Sequence, residues 1–209
     1  MSIDSILECS GLSLDLLQSF SYKSKLGKSL KRSLGHFDKE ALFNELFDYA
    51  DWLDSLDIVS LVSLDFRIKA YESIVGKYER YYPNNPVLKI FNDILGFRTF
   101  CDNYDEILSA ESEILRMVDM SEGKANDDGY RGVHVYYQYD NFHYPIEIQF
   151  NTLFDRQINN WLHDYLYKKE YPLEYGKELR CQYEKGMIRN ENEFKEVLFN
   201  DLLSGKEQK

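Results

Sequence analysis

The amino-acid sequence predicts an α+β fold: a mixed β-sheet of about five strands flanked by helices, with helical extensions at both ends. Three observations carry this. Apolar residues recur at helical spacing over 12–20 and 38–56, so each stretch has one face to bury. ILGFRTFC at 94–101 and the aromatic-rich stretches 130–140 and 144–151 read as strands. The resulting order, ααβαβαββαα, places helices on the flanks of a sheet.

Taken in order, the long helix over 38–56 carries one stripe of Leu42, Leu46, Tyr49, Leu53 and Leu56, with Asp38 standing where an N-cap belongs. The stripe reads as core or as a partner groove. IVSLVSLDFRIK, from Ile58 to Lys69, reads as a strand. A helix over 70–82 stops before Pro83 and Pro86, because the residue before proline avoids the helical region. A short helix at 87–91 leads into the strand at 94–101, and 104–118 carries an amphipathic pattern expected to cover the sheet as a helix. SEGKANDDG is a loop. The strands 130–140 and 144–151 join at a short turn near Asn141, a helix at 153–169 ends before Pro172, and a last helix spans 191–203. Three consecutive parts are expected: an N-terminal helical segment with a basic patch at 1–57, a core at 58–170 and a C-terminal helical extension at 171–209.

The chain of 209 residues, 44% hydrophobic and 15% aromatic, suffices for one well-cored domain. No run of 18 apolar residues occurs, and MSIDSILECSG has acids where a signal peptide has bases, so a cytoplasmic protein without a membrane span is expected. Cys9, Cys101 and Cys181 are widely spaced and read as reduced thiols. His134 and His163 have no cysteine or histidine at ligand spacing, which excludes a zinc site. A net charge of −11 argues against nucleic-acid binding by the whole surface. Yet residues 21–37 hold Lys23, Lys25, Lys28, Lys31 and Arg32 and no acid. Such a segment either contacts phosphate or is a solvated face paired with the protein's own carboxylates.

Four clusters have chemistry to offer. Arg67 and Lys69 alternate on one strand face, and Ser73 and Lys77 lie one turn apart on the next helix; together they suit a triphosphate. Asp93, ahead of an apolar strand, is a natural Mg²⁺ ligand or a loop aspartate. Glu147 and Gln149 alternate with Ile146, Ile148 and Phe150, so the polar pair marks either a cleft or a wet sheet face. Glu147 can join Asp93 on a metal or accept a proton from a hydroxyl. In GYRGVH, Tyr130 can stack on a base, while Arg131 or His134 reaches phosphate.

These clusters, in order, resemble the synthetase domain of the RelA/SpoT-type alarmone synthetases, especially the small single-domain members. The likeness covers roughly 58–169. R-x-K-x-x-x-S-x-x-x-K appears as Arg67, Lys69, Ser73 and Lys77; D-I-x-G-x-R runs from Asp93 to Arg98; G-Y-R-x-x-H runs from Gly129 to His134. E-I-Q-I-R-T appears as Glu147 to Thr152, and a family histidine falls on His163. The resemblance implies a nucleotidyltransferase-like core and a pyrophosphokinase that moves the β,γ-diphosphate of ATP to a ribose 3′-hydroxyl. It implies that Arg67 and Arg98 hold adenine, that Lys69, Ser73 and Lys77 hold the phosphates, and that Asp93 and Glu147 bind Mg²⁺. Glu147 would also activate the hydroxyl. Tyr130, Arg131, His134, Gln149, Asn151 and His163 would form the acceptor side. With no hydrolase or regulatory domain in view, the chain is expected to make product and not to degrade it.

The acceptor side departs from the family: Asn151 replaces the usual arginine, Gly132 the usual serine, and Leu162 an acidic residue. G-Y-R-G-V-H is similar to a toxic branch that pyrophosphorylates the 3′-CCA end of tRNA, and Lys23–Arg32 would suit an acceptor stem. The favoured reading is therefore a tRNA-directed toxin with an antitoxin partner. The alternative is a (p)ppGpp synthetase using GDP or GTP in the stringent response. A non-catalytic nucleotide-binding interaction protein is the reading from another class. Small members form homo-oligomers, an expectation that the resemblance carries over.

Overall fold

The computed structural model describes residues 3–169 and 171–203. Residues 1–2, 170 and 204–209, which complete the three expected parts, lie outside the described residues. Two compact units interleave along the chain: one comprises 1–99, 105–118 and 134–150, the other 100–104, 119–133 and 151–209.

The first unit opens with α1 (Ile3–Cys9) and α2 (Leu14–Ser19). Ser13 caps α2 by accepting the Leu16 N–H. After an irregular basic segment and a 3₁₀ turn at Leu34–His36 comes α3 (Lys39–Ser55). The Asp38 carboxylate caps α3 by accepting the Ala41 N–H at 2.9 Å. The predicted stripe is core: Leu42, Leu46, Tyr49 and Leu53 are fully buried, each contributing roughly 2 kcal/mol of apolar burial. Then follow α4 (Ile58–Leu61), β1 (Asp65–Ile68), α5 (Tyr71–Tyr81), α6 (Val87–Ile90) and β2 (Leu95–Phe100). After α7 (Asp105–Leu108) come β3 (Leu115–Asp119), β4 (Val133–Tyr137) and β5 (Ile146–Asn151). The strands form one five-stranded sheet ordered β1-β2-β5-β4-β3, with β1 antiparallel to β2. Aromatic side chains cover its apolar face: Phe97 of β2 lies 5.9 Å from the Phe20 ring, centroid to centroid.

The second unit contains α8 (Leu153–Trp161), capped by the Thr152 hydroxyl, then a π-helical turn at Leu162–Leu166 and a 3₁₀ turn at Tyr167–Lys169. It continues with α9 (Glu174–Glu184), α10 (Glu191–Glu196) and a π-helical stretch at Val197–Leu203. Ile158, Trp161, Leu166, Leu179 and Phe194 form its core. No helix among the described residues is long and apolar enough to cross a membrane.

The α+β class and the five-stranded sheet agree with the sequence reading, and four element assignments change. Residues 58–61 are helical and only 65–68 are strand. Ile58 and Val62, one helical turn apart, are buried while Leu61 is exposed, which is a helical period and not an alternation. The expected helix over 104–118 is a single turn followed by strand β3. The Ser112 hydroxyl accepts the N–H groups of Ile114 and Leu115 and breaks the helix there. The helix over 153–169 is α-helical only to Trp161. Helix α9, which the reading passed over, announces itself by Tyr175, Leu179 and Tyr183 four apart on one buried face.

Candidate active site

In the first unit the polar face of the sheet is built by register. Pairing of β1 with β2 sets Arg67 opposite Gly96 and Asp65 opposite Arg98. A Cβ built on Gly96 would lie 3.4 Å from Glu147 Oε2. Arg67, Gly96 and Glu147 thus form one row across β1, β2 and β5, with an open position at its centre. An Arg98 nitrogen lies 3.4 Å from the Asp65 carboxylate.

Asp93 collects the cations. Lys69 Nζ lies 2.6 Å from Oδ2, Lys77 Nζ 3.0 Å from Oδ1 and Arg67 Nη2 3.7 Å from Oδ2. The carboxylate and Lys69 are both buried, at 8% and 7% exposure. Burial lowers the Lys69 pKa, and the Asp93 charge opposes that drop. Lys77 also donates to the Ile90 carbonyl at 3.2 Å. Ser73 stands exposed one turn before Lys77 on α5. Three cations on one carboxylate leave surplus positive charge for an anion. A neighbouring cleft of about 310 Å³ is lined by Lys69 but also by Asp51, Asp54 and Glu72, and those carboxylates make it unsuited to phosphate.

Glu147, 5% exposed, accepts the Tyr136 hydroxyl at 2.9 Å and the Gln149 amide at 2.7 Å, with His134 Nδ1 at 2.9 Å. Burial pushes its pKa up, but these bonds prevail and hold it at about 2. It is therefore a carboxylate at neutral pH. Burial, and then the Glu147 charge, pushes the Tyr136 phenol up; Asp93 acts on the same phenol. Arg116, exposed on β3, lies with its guanidinium 4.3 Å from the Tyr136 ring centre. Sequence reasoning missed Arg116 because its segment reads as helix; the five residues LRMVD do not alternate and give no strand signal for it. Asp93 and Glu147 offer hard oxygen donors. Among the described residues no group of three or more His, Cys, Asp or Glu side chains could hold a metal ion.

The basic segment of the same unit is ordered by its backbone. The Ser24 and Leu30 N–H groups donate to the Phe142 and Asn141 carbonyls, each at 2.8 Å, and the Lys25 N–H to the buried Glu45 at 2.6 Å. The five basic side chains are exposed, and among the described residues none pairs with a carboxylate. Lys28 Nζ instead bonds the His36 carbonyl at 2.7 Å.

In the second unit the 127–132 loop carries Tyr130, which is half-buried with Lys124 Nζ 5.0 Å from its ring centre. The Arg131 guanidinium is committed to Asp127, at 2.7 and 3.0 Å. Asn151 is 1% exposed, and its amide donates to the Arg131 carbonyl at 2.9 Å, so it holds this loop from within. His163 sits exposed in the π-helical turn beside Asp164, 3.2 Å away.

The predicted residues thus fall into two groups. Arg67, Lys69, Ser73, Lys77, Asp93, Arg98, His134, Glu147 and Gln149 belong to the first unit, and Tyr130, Arg131, Asn151 and His163 to the second.

A protein-family model described as the region found in RelA / SpoT proteins matches residues 66–171, just over half of the chain. Among solved structures, small alarmone synthetase 2 from Bacillus subtilis is 26% identical with a TM-score of 0.43, covering 79% of this chain and 98% of that one. Small alarmone synthetase 1 from the same organism, bound to its product pppGpp, is 21% identical with a TM-score of 0.42, covering 80% and 90%. A GTP pyrophosphokinase family protein from Streptococcus pneumoniae is 23% identical with a TM-score of 0.40, covering 70% and 79%. No curated protein matches the chain. The chain belongs to the RelA/SpoT family and is a diphosphotransferase of the pyrophosphokinase type.

Proposed function

We propose that the protein transfers the β,γ-diphosphate of ATP to a ribose 3′-hydroxyl, with the 3′-CCA end of tRNA as acceptor. The observation that carries the acceptor is the basic segment. Lys23, Lys25, Lys28, Lys31 and Arg32 project from a backbone held by hydrogen bonds, with no carboxylate partner among the described residues. A mononucleotide acceptor needs no such surface; a nucleic-acid backbone does.

In this reading Lys69, Lys77 and Ser73 receive the ATP phosphates, and Arg67 and Arg98 hold adenine. Arriving phosphates would draw the two lysines from Asp93 and free that carboxylate. Asp93 and Glu147 would then hold Mg²⁺, which when bound neutralises charge on the transferring phosphates. With its pKa at about 2, Glu147 is a ligand and hydrogen-bond acceptor for the hydroxyl more than a strong base. Tyr130 stacks on the acceptor base.

Synthesis of (p)ppGpp from GDP or GTP is the second reading, favoured by the alarmone synthetases among the similar structures, one of which holds pppGpp. The test supplies γ-labelled ATP with deacylated tRNA, GDP or GTP. Label at the tRNA 3′ end is expected; label confined to guanosine nucleotides overturns the tRNA assignment. Lys23→Glu with Lys31→Glu should weaken tRNA labelling and spare transfer to GDP. Lys28 is left in place because its ammonium also bonds the His36 carbonyl.

A further inference from the structure

The Tyr130 loop is held by a buried polar network from α8 and α9, and α9 lies beyond the stretch matched by the family model. Its centre is Arg180, 1% exposed. Arg180 Nε donates to the Gly129 carbonyl at 2.8 Å, Nη1 to Asp155 at 2.6 Å and Nη2 to Asn159 Oδ1 at 3.1 Å. Asn159 then grips the residue on the other side of Tyr130: its oxygen accepts the Arg131 N–H at 3.2 Å and its amide donates to the Arg131 carbonyl at 2.7 Å. The Tyr167 hydroxyl adds a bond to the Asp128 carbonyl at 2.8 Å. Every peptide flanking Tyr130 is tied down, while its ring is left half-buried.

A fully buried arginine costs considerable desolvation, and an arginine is retained at such a site where its rigid fork fixes several groups at once. Here the fork fixes one backbone carbonyl, a carboxylate and a side-chain amide instead of packing a core. We infer that Arg180 is a positioning residue for acceptor recognition, setting the pose of Tyr130 through the Gly129 carbonyl and Asn159. The inference rests on the reading that Tyr130 stacks on the acceptor base.

The test compares Arg180→Lys, Tyr167→Phe and Tyr130→Ala, with deacylated tRNA and with GDP as acceptors. Lysine keeps the charge on Asp155 but loses the fork. The KM for the acceptor should rise about tenfold in Arg180→Lys while the KM for ATP stays within about twofold. Amide hydrogen exchange of 127–132 should quicken. Tyr167→Phe removes one hydroxyl and no charge, so the test survives a misfolded Arg180→Lys; it should raise the acceptor KM about threefold. Unchanged exchange in the loop, or parallel rises of both KM values, overturns the inference. If Tyr130→Ala raises the acceptor KM and Arg180→Lys does not, the inference falls and the stacking assignment stands. If neither moves it, the stacking assignment itself falls, and the inference with it.

Discussion

Replacing Asp93 by asparagine tests the electrostatic design of the phosphate cluster in isolation from catalysis. In the folded protein Asp93 is the carboxylate on Lys69 at 2.6 Å and on Lys77 at 3.0 Å, with Arg67 at 3.7 Å. Lys77 and Arg67 keep 28% and 41% of their side chains exposed, so water compensates them when the carboxylate goes. Lys69 does not share that relief, with 7% exposed. Breaking a buried pair by removing one member costs about 3–5 kcal/mol, and with Lys69 bearing most of it the expected loss is about 3 kcal/mol near neutral pH. Lys69 already has a pKa below its ordinary 10.5, lowered first by burial and pulled back by Asp93. Without that pull the pKa falls further, so the unfolded chain binds more protons than the folded one over a wider range. Stability of the variant should therefore rise with pH from the folded Lys69 pKa up to 10.5, and rise more than in the parent protein. Urea midpoints of both proteins, at pH 7 and roughly pH 9.5, measure the difference. Inorganic tripolyphosphate should restore the variant more than it stabilises the parent, because the anion supplies the missing charge. A loss under about 1 kcal/mol that is equal at both pH values would refute the argument; it would mean that Lys69 carries no charge that Asp93 compensates.

Three further predictions concern single positions. Glu147→Gln should abolish transfer, by at least about a hundredfold in kcat, and should also flatten acid denaturation: with its folded pKa at about 2 against 4.5, the Glu147 carboxylate contributes stability above 4.5 that is lost as pH falls towards 2, so parent and variant midpoints should converge at low pH. Gly96→Ala places a methyl 3.4 Å from Glu147 Oε2, an ordinary contact; the melting temperature should move by only about a few degrees, while ATP binding by calorimetry weakens because the row between Arg67 and Glu147 is filled. Gly129→Ala should fail to give soluble folded protein, or lose about 3 kcal/mol or more by denaturation, since Gly129 has φ +85 and a Cβ there would lie 2.2 Å from the Gly176 carbonyl oxygen.

What was legible in the sequence follows from how locally each feature is determined. Arg67 on β1 with Lys69 one residue past its end, and Glu147 with Gln149 on β5, are two apart in extended chain, so their shared faces follow from local geometry. Asp38 as the cap of α3, and its buried stripe, are equally local. Strand β3 was not legible, because five residues behind a serine-broken turn mimic the last turn of a helix. The charge of the basic segment was plain, but its order was not. That order comes from carbonyls at 141 and 142 and from Glu45, all distant in sequence.

The same distinction bears on why the acceptor side looked anomalous. Asn151 stands where the family has an arginine, and a substitution there reads as a changed contact with substrate. In the structure its side chain is 1% exposed and spends its amide on the Arg131 carbonyl. A buried amide can satisfy that carbonyl at short reach, whereas a guanidinium there would bring a charge needing its own partner. The charge in this network is instead supplied by Arg180, which lies 51 positions from its Gly129 partner, and it is balanced by Asp155, which also accepts the Tyr104 hydroxyl at 2.6 Å. Gly176 completes the fit, for a Cβ there would lie 1.9 Å from the Asp128 carbonyl oxygen. Asn151, Asn159, Gly176 and Arg180 are thus explained as one solution to holding a single loop. It follows that grafting the family arginine onto position 151 should disturb the loop before it alters any substrate contact. Asn151→Arg should lower thermal stability and quicken exchange over 127–132 with no nucleotide present; a variant with parent-like stability and exchange but a changed acceptor preference would show that position 151 does face the substrate.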